Sequence, residues 1–135
     1  MAFGVVVAVV LVIGGYLAFG DFVGRGGAPT ADAIRVQASM AGFSPSEIRV
    51  KAGQAVLLDF WTQDSTLHLR GGVHTMIGHE LGLHAELPGA TAAGTSRMAV
   101  EFTAPTTPGT YDIYCDTCCG GKESPTMHGK VVVEA

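Results

Sequence analysis

Apolar and polar positions follow two regimes along the chain. From Phe3 to Phe19 the run FGVVVAVVLVIGGYLAF is nearly all apolar, and Asp21 is the first charged residue. About 20 apolar residues of helix span a bilayer core, and a helix in lipid satisfies its own backbone. Residues 1–20 therefore predict a single transmembrane anchor. A buried soluble helix fits poorly, because the run is apolar on every face. A cleaved signal peptide has one argument, the A-x-A form of Ala31-Asp32-Ala33. Against it, no Lys or Arg precedes the run, and that site lies far beyond its end. Residues 21–33 (DFVGRGGAPTADA), rich in Gly and Ala, read as a linker.

From Ile34 the pattern changes to short alternations. Ile34, Val36 and Ala38 alternate with polar neighbours, as do Ile48 and Val50. Val56, Leu58 and Phe60 share one face, followed by Met98, Val100 and Phe102, then Tyr111, Ile113 and Cys115, and finally Val131 and Val133. Period two marks half-buried strands, and Ser44-Pro45, Ala52-Gly53, Pro88-Gly89 and Pro108-Gly109 supply the turns between them. Residues 34–135 thus predict an all-β sandwich. Two stretches break the alternation, Thr62–Glu86 and Cys115–Gly129. Both are expected as loops at one end of the sandwich, where a rigid scaffold carries chemistry.

Composition sharpens this picture only in part. Hydrophobic residues make up 47% and charged residues 15%, and the excess of apolar residues sits in the N-terminal run. The net charge of −4 disfavours nucleic acid, which needs a basic surface. It mildly favours a basic partner, although solvated acidity is the simpler account. Arg25 and Arg35 both follow the apolar run, so charge does not set its orientation. Cys115, Cys118 and Cys119 crowd into five positions, unlike a disulfide framework that joins distant segments. No Ser-His-Asp arrangement, phosphate loop or paired-carboxylate motif points to hydrolysis.

The chemistry lies in YCDTCCGGKESPTMHGKVVV. Thiolate, thioether and imidazole donors select copper or zinc over hard cations. Met127 argues for copper, because zinc rarely uses a thioether. His74 supplies an imidazole from the other loop. Gly120-Gly121 permits a tight turn after Cys119. A local Cys115–Cys119 disulfide, or buried structural thiols, would leave Met127 and the glycine pair unexplained. His68, His79 and His84 read as solvated loop histidines, with His79 the substitute for His74 if the loop register differs.

The segments VHTMIGHELGLHAELPG, VEFTAPTTPGTYDIYC and CCGGKESPTMHGKVVVE resemble the cupredoxin domain of cytochrome c oxidase subunit II, in the short one-anchor form of B-type heme-copper oxidases. The resemblance covers residues 34–135 and implies a Greek-key sandwich with a CuA centre, two copper ions bridged by two thiolates. It implies Cys115 and Cys119 as bridges, His74 and Met127 as terminal ligands, and the Thr117 carbonyl as a further ligand. It also implies a heme-copper reductase catalytic subunit as membrane partner and a cytochrome c or small cupredoxin as electron donor. The copper domain would then lie on the periplasmic or extracellular side.

The chain departs from the family pattern at three points. Glu123 stands where the second His is expected, Met127 comes one residue late, and Cys118 is an additional thiol, read as a spectator. Glu123 is weighed evenly between a copper-site residue and a surface carboxylate. A mononuclear site built from His74, one or both cysteines, Met127 and Glu123 or His128 is the alternative to CuA. Functionally, the alternatives to the oxidase subunit are a free-standing anchored carrier and a copper-trafficking protein.

Overall fold

The computed structural model describes residues 32–91 and 94–135. The predicted anchor, and all of the linker before Asp32, lie outside the described residues. Among the described residues no helix is long and apolar enough to cross a membrane.

Among the described residues nine strands build two facing sheets. They are β1 (Ile34–Ser39), β2 (Gly42–Ser44), β3 (Glu47–Lys51), β4 (Ala55–Thr62), β5 (Val73–Gly78), β6 (Leu83–Pro88), β7 (Ser96–Thr103), β8 (Gly109–Tyr114) and β9 (His128–Glu134). One sheet has the order β2-β1-β4-β7 and the other β3-β9-β8-β5-β6. Most pairs are antiparallel, but β1 runs parallel to β4 and β3 parallel to β9. The inward alternation read from the sequence is the alternation observed. Val56, Leu58 and Phe60 of β4 lie on the same inner face as Val36 and Ala38 of the adjacent β1, and all five are in the core together with Ile48, Val131 and Ile113 of the other sheet.

The stretch Thr62–Glu86, expected as one long loop, instead contains β5 and the start of β6. β5 escaped the period-two pattern because it is covered on both faces: from His74 to Gly78 every residue is buried. A doubly covered strand reads as a continuous run rather than an alternation. β6 does alternate, with Leu83, Ala85 and Leu87 buried and His84 and Glu86 exposed. A short 3-10 turn, His79–Leu81, joins the two strands, and Gly82 in the left-handed region ends it.

The outer face of the first sheet carries one buried charge. Asp59 is 1% exposed, and its Oδ2 pairs with Arg35 Nε at 3.3 Å and Arg97 Nη2 at 3.1 Å. The two arginines come from the strands flanking β4 and cover the carboxylate. Arg35 also lies over the Trp61 ring at 5.4 Å, which places Trp61 on this outer face rather than in the core.

Candidate metal centre

The site grows from the ends of β5, β8 and β9. His74 is the second residue of β5, Cys115 follows the last residue of β8, and Met127 precedes the first residue of β9. Tyr114 pairs with His128 across β8 and β9. Beyond that pair the Cys115 N–H donates to the Met127 carbonyl at 2.9 Å, closing the intervening loop at its base. Thr75 of β5 fastens the start of the loop. Its hydroxyl accepts from the Asp116 N–H at 3.0 Å and donates to Asp116 Oδ1 at 3.1 Å. The Thr117 hydroxyl donates to the Val73 carbonyl at 3.0 Å.

Within the loop the backbone decides which thiol points inward. Cys119 adopts φ +53, and Gly120 and Gly121 follow at +96 and +62. The Gly121 N–H returns to the Cys118 carbonyl at 2.8 Å. Three successive residues in the left-handed region reverse the chain, a conformation that glycine adopts readily and other residues rarely. Cys118 is left buried and Cys119 exposed. Two 3-10 turns, Gly121–Glu123 and Pro125–Met127, then carry the chain back to β9.

Four soft or borderline donors meet. His74 Nδ1 lies 3.4 Å from Cys118 Sγ and 3.9 Å from Cys115 Sγ. The two sulfurs are 3.5 Å apart, and Cys118 Sγ is 3.8 Å from Met127 Sδ. Donors about 2.0–2.3 Å from one ion at tetrahedral angles lie about 3.3–3.8 Å from each other. The His74, Cys115 and Cys118 donor atoms, 3.4–3.9 Å apart, are close to that range, and Met127 Sδ adjoins them through Cys118. The site is also dry: Met127 is 0% exposed, His74 1%, Cys115 2% and Cys118 7%. The three sulfurs belong to the same apolar cluster as Leu87, Ile113 and Val131.

The protonation of the two buried thiols is asymmetric. Burial would raise Cys115, but hydrogen bonds from His74, Thr117 and the backbone bring it down to about 5. Burial and the adjacent Cys115 sulfur push Cys118 upward. Burial would lower His74, yet its contacts with Cys115 and Asp64 outweigh this and raise it. Metal binding at such a cluster releases the protons held by its thiols.

Of the residues singled out from the sequence, His74, Cys115 and Met127 converge. Cys119 and Glu123 are exposed and lie outside the cluster, while Cys118 is inside it. Thr117 is present as a brace: its hydroxyl bonds to Val73 and sits 3.5 Å from Cys115 Sγ. His128 is engaged elsewhere, with Nδ1 on Asp112 at 2.9 Å and Nε2 on the Lys122 carbonyl at 2.6 Å. His79 bonds the Tyr114 hydroxyl at 2.9 Å. The sequence reading took Cys118 as a spectator, although Cys115 and Cys118 form a C-x-x-C pair, a spacing common at metal and redox sites.

The Cupredoxin-like domain family matches residues 5–133. The chain belongs to that family. No curated protein matches it. Solved structures similar to this cupredoxin include auracyanin A, a "blue" copper protein from the green thermophilic photosynthetic bacterium Chloroflexus aurantiacus. The two share 23% identity over 76% of this chain and 98% of that chain, with a TM-score of 0.50. A reduced Cu(I) form of an amicyanin mutant is 24% identical over 81% of this chain and 88% of that one, with a TM-score of 0.46. A chain of a heme-copper terminal oxidase dimer is 20% identical over 98% of both chains, with a TM-score of 0.45. The auracyanin likeness supports the fold. Family membership and a donor set of imidazole, two thiols and a thioether together make this a copper-binding, electron-transfer cupredoxin.

Proposed function

We propose that this cupredoxin carries electrons on a single copper ion held by His74, Cys115, Cys118 and Met127. The observation that carries the reading is the convergence of those four donors at spacings suited to one ion, with Cys119 turned away to solvent. Bound copper supplies a one-electron couple. The protein supplies the rest. Strands β5, β8 and β9 fix the donors, and the loop closes on itself through Cys115 and Met127, so the ligand geometry resists change between oxidation states. Burial keeps water from the ion. Cys118 lies nearest the surface, under a depression of about 390 Å³ lined by Arg70, Asp116, Thr117 and Cys118–Gly121. A redox partner approaches the centre most closely there.

In this proposal the apolar N-terminal run anchors the domain in a membrane, with the copper face on the periplasmic or extracellular side. A cytochrome c or a small cupredoxin is the electron donor, and a membrane heme-copper reductase is the acceptor. These assignments rest on the sequence resemblance of the copper loop and its flanking strands. Metal analysis and EPR of the copper-loaded full chain in detergent test the centre. One copper per chain, with hyperfine structure from one nucleus, is expected. Two coppers sharing one unpaired electron would replace this reading with a dinuclear centre.

A further inference from the structure

The imidazole that faces the sulfurs is held from behind. His74 Nε2 lies 2.9 Å from Asp64 Oδ2, on the ring edge opposite Nδ1. Asp64 is itself fixed. Its N–H donates to Thr62 Oγ1 at 3.0 Å, and its carbonyl accepts from the Ala90 N–H at 2.7 Å. Thr62 is fully buried at the end of β4, and Ala90 is buried as well. The carboxylate therefore reaches from just beyond β4 in one sheet to β5 in the other, so the contact joins the two halves of the sandwich at the metal centre. An ionised carboxylate only accepts hydrogen bonds. Nε2 must carry a proton on that side, so in the neutral, metal-binding form of the ring the lone pair is on Nδ1, the atom directed at Cys118 and Cys115.

We propose that Asp64 is a positioning residue for the copper ligand His74: it selects the tautomer and ring orientation that present Nδ1 to the metal and strengthens that nitrogen as a donor. The proposal rests on the copper reading above. A carboxylate behind a metal-bound imidazole fixes the ring and raises its basicity. Its negative charge also favours the more positive oxidised state of the centre, which lowers the reduction potential. The Asp64 side chain is 25% exposed, so solvent screens part of that charge while the hydrogen bond keeps its direction.

Asp64→Ala and Asp64→Asn in the full chain test this. Three quantities are read: Cu(I) affinity by competition with a chromophoric chelator, the reduction potential, and the His74 Nε2–H resonance in the diamagnetic Cu(I) state. Asp64→Ala should weaken Cu(I) binding on the order of 10–100-fold, raise the potential, and expose the Nε2–H to fast solvent exchange. Asp64→Asn retains an acceptor oxygen without the charge. It should keep a protected Nε2–H and most of the affinity, yet still raise the potential. Wild-type affinity, potential and Nε2–H protection in Asp64→Ala would overturn the proposal, as would a variant that loses only thermal stability. A wild-type chain that takes up no copper would overturn the copper reading itself, and this proposal with it.

Discussion

Cys118 and Cys119 are neighbours in sequence and opposites in environment, one 7% exposed beside Met127 and the other turned to solvent at φ +53. Their substitution separates the two registers of the copper loop. Cys118→Ser should abolish the intense visible absorption of the copper-loaded protein. Cys119→Ser should leave both the spectrum and the copper content close to wild type. The reverse outcome would place Cys119 at the metal. Spacing from Cys115 could not decide between them, because strand alternation stops at Tyr114 and the inward direction is set afterwards by backbone angles at Cys119, Gly120 and Gly121. His74 and Met127 were more legible. Both were named from donor chemistry and the family resemblance, His74 being expected in a loop where the structure has β5 and Met127 ending the 3-10 turn before β9.

At the scale of elements, the loop is only as stiff as its attachment to β5. Thr75 is 2% exposed and its hydroxyl serves both the N–H and the carboxylate of Asp116. Thr75→Val keeps the shape and deletes both bonds, leaving the Asp116 N–H without its partner. Unsatisfied polar groups of this kind cost about 1–3 kcal/mol, a loss to be read from denaturant unfolding of the apo chain. The loop should also loosen locally, seen as faster amide exchange at Asp116 and Thr117. The strands supporting the loop differ in how openly the sequence shows them. β4, β7, β8 and β9 each bury one face, so Leu58, Val100, Ile113 and Val131 recur at every second position. β5 has no solvent face from His74 onward, and its run VHTMIG carries neither alternation nor helical period. Its identity comes from its neighbours: Ile77 pairs with Tyr114 of β8 and also with His84 of β6.

The whole molecule is held by more than its apolar interior. Asp59 draws Arg35 of β1 and Arg97 of β7 over the middle strand of the first sheet, and its Oδ1 has no hydrogen-bond partner. Either arginine alone still covers the carboxylate, so Arg35→Ala and Arg97→Ala should each destabilise only slightly. Together they leave a carboxylate on the sheet with no counter-charge. The double variant should lose more than the sum of the single losses, with a coupling of about 0.5–3 kcal/mol in a double-mutant cycle.

Among the described residues, two open sheets also leave four strands with an unpaired side: β2, β7, β3 and β6. Such rims are templates on which foreign strands can stack, and each is blunted differently. β2 has three residues. β3 displays Arg49, bridged to Glu47 and Glu134, with Lys130 beside it. β6 shows His84 and Glu86 and ends at Pro88, and β7 exposes Arg97 and Glu101 at its rim. Copies of this domain at high local density would meet rim to rim. Charge and brevity at these rims keep them separate bodies instead of zipping into a continuous ribbon.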